Sequence, residues 1–231
     1  MLEPNTTNNS PRLLWGLLRR RQCVALTWRG WLLGLLILGT AATLAVRNAY
    51  YFLAVTDPAP GGILVVEGWG PDIFLKDAIE EFRRNHYQQM LVTGTPIGKG
   101  GMFTQYKSNA ELSAATMEAM GFDHNLLHAI PAQNVSRDRT YTSAMAVKNW
   151  LKEQGMNPAS LTLISLGTHS RRSRLLYEKT FGDRVKIGII AVQDGSVDPN
   201  RWWTTSQGFR SVTDEMIAYI YARFLFQTST E

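Results

Sequence analysis

The sequence predicts an α/β protein: a Rossmann-like three-layer sandwich on a mostly parallel five-stranded sheet, preceded by one N-terminal transmembrane helix. Three observations support this fold class. From residue 63 onward, short apolar runs alternate with longer amphipathic stretches, as expected for a parallel sheet with helices on both faces. Residues 57–231 have the size of one ordinary domain. A separate uncharged apolar segment lies near the N-terminus.

The apolar segment is Gly30–Val46, GWLLGLLILGTAATLAV, bounded by Arg29 and Arg47. Its length reaches the short end of the range for a membrane-spanning helix. A cleaved signal peptide is the alternative, although its apolar core would be shorter and the polar stretch Met1–Ser10 is atypical of one. A buried core helix fits less well, because no polar side chains line one face.

The flanks of this segment predict its orientation. Arginines cluster on its N-terminal side, where residues 19–21 and 29 are all Arg, whereas only Arg47 is close on the other side. The positive-inside rule then places the N-terminus in the cytoplasm and the C-terminal domain outside the inner (plasma) membrane. The aromatic run Tyr50–Phe52 is expected at the membrane interface. The predicted regions are a cytoplasmic basic head at 1–29, a transmembrane helix with an interfacial segment at 30–55, and the α/β domain at 57–231.

The elements of the domain follow from local pattern. The five predicted strands are Ile63–Val66, Met90–Thr93, Leu127–Ile130, Leu161–Leu166 and Val185–Val192. The predicted helices are Asp72–Arg84, Ser108–Met120, Thr140–Gln154, Ser170–Phe181 and Ser206–Phe226. Asp57–Gly62, DPAPGG, is a linker by composition. In the last helix the residues expected to face inward are Val212, Met216, Tyr219, Ile220 and Phe224.

The positive charge of the chain is confined to its N-terminal part. The domain at 57–231 contains 18 of the 24 basic residues and 18 of the 19 acidic residues, so it has no net charge. A nucleic-acid-binding domain carries its own basic surface, so no nucleic-acid partner is expected. Cys23 is the only cysteine, which excludes an intramolecular disulfide.

The segment Leu163–Arg174, LISLGTHSRRSR, is the strongest candidate for a ligand site. A predicted strand ends at Gly167, and His169 with three arginines begins the next helix. Ligands of α/β folds bind where strands give way to helix N-termini, and free backbone N–H groups there favour anions. Arginines are unfavourable beside the positive end of a helix dipole, and an anionic partner would explain them. A solvated basic helix start is the simpler alternative.

Other polar residues follow the neighbouring predicted strands, at the same edge of the sheet. Glu67 comes directly after the first strand and could act as a base or position a hydroxyl group, or be a surface acid. His169 could carry a proton near neutral pH, or cap a helix. Asp138 could contact a ligand or pair with an arginine. The sequence contains no motif for a nucleotide phosphate loop, a nucleophilic serine or a metal site, so no metal is expected and no cofactor is identified.

Over residues 60–227 the chain resembles the DUF218 family, also called the YdcF-like family, of bacterial envelope proteins. The segments that carry the resemblance are ILVVEGWG, Thr93-Gly94, Glu111, NVSRDRTYTSA and LISLGTHSRRSRLL. Thr140 fits the family's third-loop threonine, and His169 and Arg172 fit its fourth-strand motif. The chain departs from the family at Glu67–Trp69, where many members have Leu-Gly-Gly, and at Thr142-Ser143, where many have Glu-Asn.

The resemblance implies a Rossmann-like domain tethered outside the inner membrane, with a role in envelope, peptidoglycan or lipid-carrier metabolism. Together with the strand-end residues it predicts an anionic, phosphate-containing or lipid-linked ligand. The expected catalytic residues are His169, which would transfer a proton, and Glu67, which would orient or activate the nucleophile. The residues expected to bind the ligand are Gly68, Thr93, Gly94, Glu111, Asp138, Arg139, Thr140, Arg171 and Arg172. A non-catalytic binding or regulatory protein is the alternative function.

Overall fold

The computed structural model describes residues 12–13, 18–19, 27–98, 100–193 and 195–228. The chain forms two compact units, residues 1–44 and 45–231. In the first unit, Arg12–Leu13 pairs antiparallel with Leu18–Arg19, and helix α1, Trp28–Leu53, begins. Most of the basic head predicted at 1–29 lies outside the described residues.

Helix α1 contains the whole predicted apolar segment. Among the described helices it is the one long and apolar enough, by length and composition, to cross a membrane. It continues beyond the apolar segment, and its last turns belong to the second unit. There Tyr50 and Leu53 are buried with Trp202 and Val212. Tyr50 is therefore part of the domain core rather than an interfacial residue, because the helix extends unbroken into the domain.

The second unit is built on the predicted sheet. Its five strands are β1 Ile63–Glu67, β2 Gln89–Gly94, β3 Leu127–Pro131, β4 Ser160–Leu166 and β5 Lys186–Val192. Their order is β3-β2-β1-β4-β5, and every neighbouring pair is parallel. The helices are α2 Asp72–Arg84, α3 Asn109–Ala119, α4 Arg139–Glu153, α5 Ser170–Phe181 and α6 Ser206–Ile220. The predicted α/β fold class is confirmed.

Two apolar layers cover the sheet, one on each face. Alternate residues of β1 point to opposite faces, so Leu64 packs against α2 and α3 while Val65 packs against α4 and α5. Because both faces are buried, the central strands are almost continuously apolar, which made them recognisable from the sequence. The strand order reverses between β1 and β4, and a crevice opens there at the carboxyl ends of the strands.

The segment interpreted as a linker is instead fixed to the sheet edge. Asp57 exchanges backbone hydrogen bonds with Ile189 of β5, at 2.7 and 3.0 Å, and Ala59 is buried. The backbone of Ala59 passes so close to Gly188 that a Cβ at residue 188 would lie 2.1 Å from the Ala59 nitrogen.

We therefore expect Gly188→Ala to destabilise the protein by about 1–3 kcal/mol, since backbone atoms must move to relieve the overlap. Urea unfolding of the detergent-solubilised full chain measures the loss. Gly101→Ala is the matched control, because its Cβ would meet its nearest neighbours at an ordinary 3.6 Å. Equal unfolding midpoints for the two variants would contradict this account of the sheet edge.

The last helix differs from the sequence expectation. α6 ends at Ile220 and continues as a π-helical turn, Tyr221–Leu225. The wider turn breaks the 3.6-residue period used to assign the inward face. Val212 is buried as expected, whereas Phe224, within the wider turn, is 76% exposed. Ile220 is also exposed, but it precedes the wider turn, which therefore does not account for it.

Candidate functional site

A cavity of about 580 Å³ occupies the crevice at the carboxyl ends of the strands. Eight of the residues predicted for the site line it: Glu67, Thr93, Gly94, Asp138, Arg139, Thr140, His169 and Arg172. They come from the ends of β1 and β2, the start of α4, and the turn from β4 into α5. The shared sheet edge brings them together, as the strand-end analysis predicted.

Glu67 is a buried carboxylate at the end of β1, only 4% exposed. Ser173 donates to its Oε1 at 2.8 Å, and Ser165 donates to its Oε2 at 2.5 Å. Burial alone would raise its pKa, but the charge of His169 and these hydrogen bonds outweigh burial and hold the pKa below its ordinary value. Both oxygens are thus engaged, so Glu67 is a fixed negative charge rather than a free base.

His169 lies between two carboxylates. Its Nδ1 is 2.9 Å from Oε1 of Glu215, and its Nε2 is 3.6 Å from Oε1 of Glu67. Burial and the nearby Arg172 lower its pKa, but the charge of Glu67 and the hydrogen bonds to both carboxylates outweigh them and raise the pKa to about 9. The two carboxylates thus favour the protonated imidazole at neutral pH, against the opposing charge of Arg172, whose Nη2 lies 2.8 Å from Nδ1. The ring of Trp69 contacts the imidazole edge-on, with centroids 5.2 Å apart.

Glu215, on α6, connects His169 to Arg172. Arg172 donates through Nε to Oε2 at 2.8 Å and through Nη2 to Oε1 at 3.0 Å, a two-pronged pair. Burial raises the pKa of Glu215, but its hydrogen bonds to His169 and Arg172 outweigh burial and lower the pKa to about 2. The two cations and the two carboxylates, Glu67 and Glu215, form one charge-balanced network.

Because this network is balanced, the excess positive charge at the cavity must come from other residues. Arg137 and Arg139 line the cavity and are exposed, and neither has an ion pair within the described part of the chain. Asp138 between them adopts the left-handed conformation, φ 54°, and its side chain does not cap α4. The first backbone N–H groups of α4 are thus not capped by the side chain of Asp138.

Three residues predicted to bind the ligand do not line the cavity. Successive residues of a helix point about 100° apart, so Arg171 faces away from Arg172 and donates to the carbonyl of Phe52, its guanidinium stacked on the Phe52 ring. Glu111 completes a capping box with Ser108 at the start of α3. Gly68 lies behind the lining, and its carbonyl accepts from Ser113 at 2.6 Å.

Several other lining residues were not predicted: Asn109, Ser143, Leu176, Glu215, Ala218, Tyr221, Ala222 and Phe226. Glu215 is the most important, because it anchors both cations. Its one local signal is its position three residues after the buried Val212, on nearly the same helix face. Glu215 lies on a helix rather than at the end of a strand, so the strand ends do not point to it.

Thr93 is a second feature that only the structure shows. Its side chain lines the cavity yet is only 1% exposed, and its hydroxyl has no hydrogen-bond partner among the described residues. Buried hydroxyl groups are nearly always paired, so an unpaired one at a cavity wall indicates a missing partner. Within the described ranges, no group of three or more His, Cys, Asp or Glu side chains is arranged to hold a metal ion.

The titration of His169 gives a stability prediction. Its folded-state pKa of about 9 lies above the ordinary 6.5, so its contribution is fully present below pH 6.5 and is lost as the pH rises through about 9. We expect the free energy of unfolding to fall by on the order of 3 kcal/mol across this window. Urea unfolding at a series of pH values tests this, and His169→Gln should flatten the profile. An unchanged slope in the variant would show that another group titrates.

Comparison with known proteins adds little to this description. No family model matches the chain, and no curated protein matches it. Among solved structures, the chain is similar to the pantothenate synthetase of Thermus thermophilus, at 12% identity and a TM-score of 0.34, over 74% of this chain and 80% of that one. The resemblance to the DUF218 family stays a prediction.

Proposed function

We propose that this protein is a membrane-anchored envelope protein that binds a phosphate-containing precursor in the cavity and cleaves a phosphate ester bond with His169 as the proton donor. One observation carries the proposal. The cavity holds the imidazole of His169 between the carboxylates of Glu67 and Glu215, which favour its protonated form, beside arginines 137 and 139, which have no ion pair among the described residues. A positioned acid beside an anion-binding rim is what cleavage of a phosphate ester requires.

The acid role follows from the charge state of His169. A group with a pKa of about 9 carries its proton at neutral pH and is a poor base there. Its Nε2 lies 3.5 Å from the hydroxyl of Thr140, which lines the same cavity. The proton is thus available beside the space where a leaving oxygen would lie.

The reaction balances with water as the second substrate. The water oxygen attacks phosphorus, and the bond between phosphorus and the leaving oxygen breaks. The leaving oxygen takes the proton of Nε2 and departs as an alcohol. The proton lost by water passes to solvent, from which His169 is reprotonated. Glu67 and Glu215 keep the imidazole oriented and charged throughout.

The anion would be held by groups that the internal network leaves unused. Arg137 and Arg139, with Asp138 between them, leave one net positive charge at the cavity, and the first turn of α4 supplies backbone N–H groups. Arg172, already bound to Glu215, supports the site from behind, and its Nη1 lies 3.4 Å from the Thr140 hydroxyl. This assignment moves the anion-binding role from Arg171, which faces away, to the loop before α4.

The envelope location of this activity is part of the proposal. It is supported by the apolar length of α1, by the arginines that precede it, and by the resemblance to the DUF218 family. In this arrangement the N-terminus lies in the cytoplasm and the α/β domain outside the inner membrane.

A non-catalytic binding protein is the second candidate function. The observation that favours it is the complete pairing of the four charges Glu67, His169, Arg172 and Glu215. Structural ion-pair networks shift pKa values in the same way as catalytic ones. Such a protein would hold the phosphate-containing ligand without changing it.

One experiment separates the two functions. The purified full chain in detergent is incubated with a panel of phosphomonoesters and pyrophosphates, and released phosphate and bound ligand are both measured. Catalysis predicts more than one phosphate released per protein molecule, and a loss of that release in His169→Gln. If the ligand binds saturably but no phosphate is released, and His169→Gln does not change this binding, the protein has a non-catalytic binding function. Neither binding nor release would refute the proposal.

A further inference from the structure

The part of the cavity lining that adjoins the charged network is apolar. It is formed by Leu176 of α5, Ala218 of α6, and Tyr221, Ala222 and Phe226 of the π-helical turn and the residue after it. These five residues are called the apolar wall. It begins one helical turn from the network, since Arg172 and Leu176 are four residues apart and Glu215 and Ala218 are three apart.

The apolar wall is held rigidly in its place. The ammonium group of Lys179 donates to the carbonyls of Ala222 and Phe226, at 2.7 and 3.0 Å, and lies 5.5 Å from the centre of the Phe226 ring. The same ring packs edge-on against Tyr141, with centroids 5.0 Å apart. Ala218 and Ala222 line the cavity beside these groups with small side chains that take up little of its volume.

Apolar surface continues outward from the wall along the same segment. Ile217, Ile220, Phe224 and Leu225 alternate with the wall residues in the sequence and are exposed, Ile217 by 67% and Leu225 by 70%. Several exposed apolar side chains on the segment that also lines a cavity are what a site for an apolar ligand or a membrane requires. A sugar would need hydrogen-bonding side chains here, and the wall offers only the Tyr221 hydroxyl.

We propose, resting on the function proposed above, that the ligand of this cavity is a lipid phosphate: an anionic phosphate joined to a long apolar chain. The phosphate contacts the buried Thr93 hydroxyl, Arg137, Arg139 and the first turn of α4. The chain lies along the apolar wall and leaves between Ile217 and Phe224. Anchoring by α1 would keep the domain at a surface that supplies such molecules at high effective concentration.

The test uses ethyl, butyl, hexyl and octyl phosphate as monomers, titrated into the full chain in detergent. We expect affinity to rise about four-fold for each methylene group. Ala218→Phe puts a bulky ring into the cavity beside the apolar wall and should abolish the dependence on chain length while ethyl phosphate still binds. Both proteins are measured in the same detergent. The loss of alkyl phosphate into micelles is therefore the same for both and cancels when their affinities are compared. Equal affinities along the series would overturn the lipid inference and leave the proposed function standing.

Two further measurements test where the phosphate group binds and whether the ligand comes from a membrane. Thr93→Val should weaken every member of the series by the same factor, because it removes the hydroxyl and keeps the shape. With the full chain in phosphatidylcholine nanodiscs, phosphatidic acid should displace octyl phosphate, and Ile217→Ser should reduce that displacement. Displacement by soluble phenyl phosphate alone would overturn a membrane source. Failure of every phosphate to bind would refute the proposed function itself.

Discussion

Replacing His169 with glutamine is expected to slow phosphate release by about 100- to 10,000-fold, the usual contribution of a positioned general acid. Glutamine can still donate a hydrogen bond to Glu215 or Glu67, but it cannot give up a proton to the leaving oxygen. The loss should therefore appear in kcat, with ligand affinity changed far less. Steady-state phosphate release, together with direct ligand titration, measures both quantities.

The matched control is His124→Gln, at an exposed histidine paired with Glu118 outside the cavity lining. It should leave phosphate release unchanged. The pH profile gives a second check, because an acid with a pKa of about 9 loses its proton above that pH. Wild-type kcat should fall there, and the residual rate of His169→Gln should not follow the same curve. Equal rates for wild type and His169→Gln would remove this residue from the reaction.

Replacing Glu215 with alanine is expected to destabilise the fold by about 3–5 kcal/mol, the cost of leaving buried charges without their partner. The variant leaves His169 and Arg172 sharing the single carboxylate of Glu67. Their mutual repulsion should then lower the pKa of His169. The fall in stability with rising pH should accordingly be smaller than in the wild type and should end at a lower pH. Urea unfolding at several pH values measures both changes.

Asp214→Ala is the matched control for this prediction. Asp214 is the adjacent acid on α6 and is exposed, so its loss should change stability by no more than about 0.5 kcal/mol. If the two variants unfold at the same urea concentration, the ion-pair network does not stabilise the fold. If Glu215→Ala is unstable but keeps the wild-type pH dependence, the protonation of His169 does not depend on Glu215.

The architecture, and the sheet edge at which the site lies, could be predicted from the amino-acid sequence. The strands begin and end within a residue or so of their predicted bounds, as Ile63–Glu67 and Ser160–Leu166 illustrate. Strands buried on both faces must be continuously apolar, and amphipathic helices must repeat their apolar residues every three to four positions. These are local constraints that a single chain displays. Glu67 and His169 could be paired in advance because parallel strands end at one edge.

Which side chains meet across that edge became visible only in the folded chain. Glu215 lies 46 residues beyond His169 on a helix whose docking no local pattern specifies, yet it fixes the charge of the site. Arg171 and Arg172 are adjacent and chemically alike, and their different roles follow from the rotation of α5 against its neighbours. The reason is physical: apolar periodicity reports burial of a face, whereas ion pairing depends on the positions of groups distant in the chain. The hydrophobic pattern is therefore readable from the sequence, and the electrostatics of the site requires the tertiary structure.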